Sequence, residues 1–108
     1  MSVTFTRSDD VLCALLSGEI DHHTAADMRM LIDSEMERTL PKTLILDFSE
    51  VQFMDSSGIG LILGRKKYIE AMNGAVFIKN TPSYVRKIIS LAGLERLILS
   101  DKPKGKCE

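Results

Sequence analysis

Val51-Gln52-Phe53-Met54-Asp55-Ser56-Ser57-Gly58-Ile59-Gly60-Leu61 changes its hydrophobic period within a few residues. Upstream, Leu44-Ile45-Leu46 is a continuous apolar run, as in a buried strand. Downstream, Ile59, Ile62, Leu63, Ile69 and Met72 recur at helical spacing, and Ile59, Ile62, Leu63 and Ile69 are expected to face a sheet. Asp55, Ser56 and Ser57 are helix-capping types, and they stand where that helix must begin. The stretch thus predicts strand, turn and helix in succession. It sets two hydroxyls and a carboxylate at the positive end of a helix, where open backbone N–H groups favour an anion.

Working outward, the remaining segments alternate between the two periods. Val3-Thr4-Phe5-Thr6 alternates like a half-buried edge strand, and Ser8-Asp9-Asp10 is a turn. Val11 to Leu16 is apolar on both faces and predicts an inner strand, antiparallel to the first across that short connection. Gly18 to His23 is read as a loop, and Thr24-Ala25-Ala26-Asp27 as a capping box. Met28, Leu31, Ile32, Met36 and Leu40 mark one helical face, which Pro41 ends. Thr43 to Asp47 is the next strand. The helix from about Ser57 to Met72 stops at Asn73-Gly74. Ala75 to Ile78 is a further strand. Thr81-Pro82 starts a helix with Val85, Ile88, Ile89 and Ala92 inward, closed by Gly93. Leu97-Ile98-Leu99 is a candidate short strand.

The order β-β-α-β-α-β-α predicts an α/β fold with a four- to five-stranded mixed sheet. Its N-terminal hairpin is antiparallel and its other strands mainly parallel, flanked by helices. One domain over residues 1–100 is expected, with a loose polar tail at 101–108.

Composition narrows the function. The chain has 108 residues, a net charge of -1 and 44% hydrophobic residues. That is too apolar for a disordered chain and has no basic field for nucleic acid or an anionic membrane. No apolar run approaches the roughly 20 residues of a membrane span, and Met1-Ser2-Val3-Thr4 is unlike a signal peptide, so the cytoplasm is expected. Cys13 reads as a core residue and Cys107 as part of the tail, with no disulfide expected between them. No cofactor is expected, and nothing has the spacing of a zinc ligand set.

Phe53-Met54-Asp55-Ser56-Ser57-Gly58-Ile59-Gly60 resembles the phosphorylation loop of the STAS family, in the branch of anti-sigma factor antagonists. Gly18-Glu19-Ile20-Asp21-His22-His23-Thr24-Ala25 resembles a second signature of that family. Together they are most similar to its sporulation antagonists, over nearly the whole chain to about Ser100. The resemblance implies a small mixed sheet flanked by helices. It implies a protein that, unphosphorylated, binds an anti-sigma factor and releases the sigma factor. The implied partners are an anti-sigma factor with serine kinase activity and a separate serine phosphatase. On this reading the protein is a kinase substrate and not an enzyme. Chains of this kind usually continue into another C-terminal helix, where this one has Asp101 to Glu108.

Three chemistries compete at Ser56 and Ser57. As helix caps they are purely structural. As nucleophiles they would need a base and an oxyanion site, yet the only histidines are His22 and His23 and no Gly-x-Ser-x-Gly pattern is present. As a phosphorylation site, which the resemblance assigns to Ser56, the turn can carry the added charge of about -1.5 to -2 without unfolding, while a partner burying it cannot. The expected partner surface comprises Asp21, Asp55, Ser56, Ser57, Gly58, Leu61 and Arg65. Leu61, Arg65 and Tyr68 are placed on a side of the helix away from the sheet; Leu61 lies either at that surface or beneath the Asp21-His22-His23 loop. That loop follows a central strand, so it is expected near Asp55, with Asp21 shaping the site. His22 and His23 are read as turn residues, a paired-histidine metal site being the weaker option. Arg65-Lys66-Lys67 is read as a solvated basic run. The alternative function is a small-molecule or nucleotide-binding STAS signalling domain.

Overall fold

The computed structural model describes residues 1–99. Four strands, β1 (Ser2–Ser8), β2 (Val11–Ile20), β3 (Thr43–Met54) and β4 (Ala75–Lys79), form one sheet in the order β1-β2-β3-β4. β1 and β2 are antiparallel, while β2–β3 and β3–β4 are parallel. The helices are α1 (His22–Thr39), α2 (Ser57–Ala71) and α3 (Ser83–Leu91). A 3-10 turn follows at Glu95–Leu97.

The strand order decides where the helices go. Both parallel crossovers step the same way along the sheet. Right-handed connections therefore put α1 and α2 on one face, side by side and touching. Register aligns the apolar residues beneath them: Leu12 opposite Leu44, Ala14 opposite Leu46, and Leu44 and Leu46 opposite Val76 and Ile78. Met28, Ile32 and Met36 of α1 and Ile62 and Ile69 of α2 have no exposed surface and close the core over this face. Val85 and Ile89 of α3 join the same cluster. Burying a side chain of this size contributes about 1.5–3 kcal/mol, which is why a helix of low intrinsic amphipathicity such as α2 still docks.

Several boundaries differ from the sequence expectation. β2 runs on through Gly18 to Ile20, where a loop is expected. Gly18 allows this, with φ +97 between two register shifts against β3. β3 likewise continues past Asp47 to Met54, because β2 pairs with it as far as Ile20 opposite Met54. Asp47 is buried, and its carboxylate accepts from Ser49 N at 2.9 Å and Asn80 Nδ2 at 3.2 Å, so a polar residue survives inside a central strand. α3 has Pro82 rather than Thr81 at its cap, and Ala92 is exposed. Leu97-Ile98-Leu99 adds a single bridge, Ile98 to Ile78, and not a strand. Leu31 and Leu40, expected on the inner face of α1, are 45% and 66% exposed. Cys13 is buried and disulfide-bonded, contrary to the expected thiol; the other half of that bond lies outside the described residues. The expected tail, 101–108, lies outside them as well.

Candidate functional site

Two helices start at the C-terminal ends of adjacent parallel strands. Ile20 pairs with Met54, and Asp55 N donates to Ile20 O at 3.1 Å. The Asp21 and Asp55 turns are thereby brought together at one edge of the sheet, as expected.

At the first turn the capping groups are paired with one another. Asp21, and not Thr24, is the N-cap of α1. Its carboxylate accepts from His23 N at 2.9 Å and Thr24 N at 3.0 Å. Asp21 N donates back to Thr24 Oγ1 at 2.9 Å, and that hydroxyl donates to Glu19 O at 2.8 Å. The Thr24 N–H, helped by that of His23, holds the Asp21 carboxyl below the usual carboxylate range. The expected Thr24–Asp27 box is displaced because the strand runs further, so the helix begins at His22. His22 and His23 occupy its first turn with their rings 4.1 Å apart, both exposed. Among the described residues no group of three or more His, Cys, Asp or Glu side chains could hold a metal.

At the second turn one group is left over. Asp55 Oδ1 accepts from Ser57 N at 2.8 Å, and Asp55 O accepts from Gly58 N at 3.0 Å. Ser56 is the N-cap position, with a helical backbone at φ -64 and ψ -15, and its side chain caps nothing. Its hydroxyl is exposed and has no hydrogen-bond partner among the described residues. Ser57 is half-buried and Gly58 buried. A Cβ on Gly58 would overlap the Met54 thioether, so any larger residue there must displace that buried side chain.

Farther along α2 the expected faces are rotated. Leu61 is 4% exposed and Arg65 5%, so neither stands out as a surface knob. Both line the groove between α1 and α2, and Arg65 reaches Asp33 of α1. Leu63, expected inside, is 46% exposed, and Met72 is 38% exposed. The apolar spacing alone did not separate these faces, because Ile59 to Gly64 is apolar on every side and α2 packs against both sheet and α1. Tyr68 donates to Glu37 Oε2 of α1 at 3.2 Å. Of the basic run, Lys66 pairs with Glu70 and Lys67 is exposed, but Arg65 is drawn inward by Asp33 of α1, Nε to Oδ1 2.8 Å. The N–H is not aligned with that oxygen, so Arg65 Nε, Arg65 Nη1 and Asp33 Oδ1 are buried without a hydrogen bond. Burial pushes the Asp33 carboxyl up and the Arg65 guanidinium down.

Ser57, Leu61 and Arg65 line a groove of about 310 Å³ between α1 and α2, with Arg29 on the opposite wall. Arg29 and the exposed Phe53 and Leu63 are the surface residues that the sequence did not single out. In sequence Phe53 and Leu63 are marked only by proximity to the Asp-Ser-Ser turn, and Arg29, on the other helix, is not marked at all.

The comparisons agree with this geometry. Residues 2–105 match the model of the STAS domain. The anti-sigma F factor antagonist of Paenibacillus polymyxa is 38% identical over 88 residues, 82% of this chain and 75% of that one. The solved structure of the anti-sigma factor antagonist SpoIIAA in its unphosphorylated form superposes with a TM-score of 0.83 at 31% identity, covering 95% of this chain and 90% of that one. SpoIIAA of Bacillus in the phosphorylated form matches with a TM-score of 0.76 at 30% identity, covering 95% and 93%.

Proposed function

This chain belongs to the STAS family, and on that footing we propose that it is an anti-sigma factor antagonist switched off by phosphorylation of Ser56. The observation that carries the reading is the lone exposed hydroxyl of Ser56 at the α2 N-terminus, beside a carboxylate already committed to Ser57 N. A relative of the same fold exists in both phosphorylated and unphosphorylated forms.

The physics suits a switch. Phosphate added to Ser56 meets the positive end of α2, so the fold tolerates it. A partner surface closing over the turn must desolvate that phosphate next to Asp55, a like charge. Each ~1.4 kcal/mol of penalty weakens binding tenfold. Binding is lost by local exclusion, without rearrangement of the sheet.

The partner is an anti-sigma factor with serine kinase activity, of the SpoIIAB kind, and a SpoIIE-like phosphatase restores the hydroxyl. The protein acts in the cytoplasm, as a substrate and not as an enzyme. Among the described residues no helix is long and apolar enough to cross a membrane. Asp21, Asp55, Ser56, Ser57 and Gly58 form the edge that the partner covers, and Leu61 and Arg65 contribute from the floor of the neighbouring groove. Incubation with ATP and a candidate anti-sigma kinase, followed by intact mass and site mapping, is expected to show one phosphate on Ser56. Modification at Ser57, or none, counts against the assignment.

A further inference from the structure

The groove between α1 and α2 is unusual for two helices packed on one sheet face, and its walls explain it. Ala25 and Ala26 on one side face Gly60 and Gly64 on the other. A Cβ added at either glycine would meet nothing within 4 Å. The helices therefore leave open a volume that larger side chains would fill at ordinary packing density.

The charge inside the opening is uneven. Arg65 and Asp33 neutralise one another, yet Arg65 Nη1 is buried with no hydrogen bond. Arg29 lines the same opening, is exposed and makes no ion pair among the described residues. Burial, and the proximity of Arg29, depress the Arg65 guanidinium despite its Asp33 partner. Two guanidinium groups thus share one carboxylate. A second carboxylate would complete the set, since arginine forks take carboxylates in bidentate fashion.

We infer that this groove receives an acidic side chain of the anti-sigma partner, held by Arg29 and Arg65, with its stem lying over the small residues. The inference rests on the function proposed above and names one point of that interface. Continuity supports a protein over a small ligand. Ser57 belongs both to the groove and to the turn that carries Ser56. Ala26, Arg29 and Gly60 are exposed, so the site opens onto the surface instead of enclosing its occupant as a small-molecule pocket does. An incoming carboxylate also adds a second reason for phosphate to exclude the partner, because both carry negative charge into the same corner.

The test uses the full chain and a purified anti-sigma kinase, with titration calorimetry and thermal melts. Arg29→Glu is expected to weaken binding at least about tenfold, and Arg29→Lys to retain most of it. Gly64→Leu plugs the groove without removing a charge and is expected to weaken binding by about the same factor. Neither change should lower the melting midpoint, since Arg29 is exposed and leucine favours the helix over glycine. Exchange of one acidic partner residue for lysine should restore binding to Arg29→Glu. Wild-type affinity in both Arg29→Glu and Gly64→Leu overturns the inference and leaves the proposed function standing. Binding of acetate or inorganic phosphate at Arg29 and Arg65, with partner affinity untouched by the variants, also overturns it by making this a small-anion site. Absence of any binding by the wild type overturns both.

Discussion

The starts of α1 and α2 are the same motif used twice, and they end in opposite states. Each follows a strand of the parallel pair β2–β3, and each contains an aspartate within a residue of the cap. At α1 the aspartate is the cap itself, and Thr24 returns the bond, so the turn is closed. At α2 the aspartate sits one position earlier and binds Ser57 N, so the serine at the cap position has nothing to bind. A shift of one residue converts a structural cap into an available hydroxyl. The second position within each helix differs too: His23 is exposed, whereas Gly58 is pressed against Met54.

The largest effect that can break this contrast is on binding. Ser56→Asp is expected to weaken the anti-sigma partner by about a hundredfold, or ~3 kcal/mol, with the melting temperature unchanged. Calorimetry beside a thermal melt checks it, and a folded variant that binds like the wild type removes the switch. Next comes Gly58→Ala, where the overlap with the buried Met54 should cost ~2 kcal/mol in urea unfolding. Ala at the equivalent His23 should leave stability within ~0.5 kcal/mol, as expected for an exposed position. Third, Asp21→Ala removes a cap and should lower the midpoint by about 5 °C, whereas Ser56→Ala should barely move it. Equal losses in the two would show that Ser56 is a cap after all.

The smallest effect is in acid. The Asp21 carboxyl is held below its ordinary range by the Thr24 and His23 N–H groups. A depressed carboxyl contributes stability above its unfolded value, near about 4, and loses it as the pH falls through the folded value. Asp21→Asn, which can still cap, should therefore flatten the stability profile below pH about 4, read by urea unfolding across the acid range.

How far these features could be read from sequence depends on the range of the forces behind them. The strand-turn-helix at Asp55 rests on local chemistry, period and cap residues, and it appears where the sequence predicts it. The apolar runs of β2, β3 and β4 marked the strands correctly, but not burial on both faces: burial alternates along β4, and Ile45 and Phe77 are only half-buried. Gly18 to Ile20 reads as loop because glycine and glutamate are poor strand formers, yet pairing with β3 overrides that preference. The α2 faces were misassigned for a similar reason. Leu61 and Leu63 are both leucines, and only what packs against α2 distinguishes them, Leu61 buried and Leu63 exposed. Arg65 looked like part of a solvated run until Asp33, more than thirty positions away, drew it inside.

By itself, then, the chain specified its element order, its mixed sheet and the helix start that carries Ser56. Those follow from neighbours a few residues apart, whose preferences survive in any context. Packing alone settled which side of α2 is covered, that Asp21 rather than Thr24 closes α1, and that two helices stand apart over small residues to leave Arg29 and Arg65 facing an opening. These are outcomes of which elements meet, and a residue's own type does not encode what will lie against it.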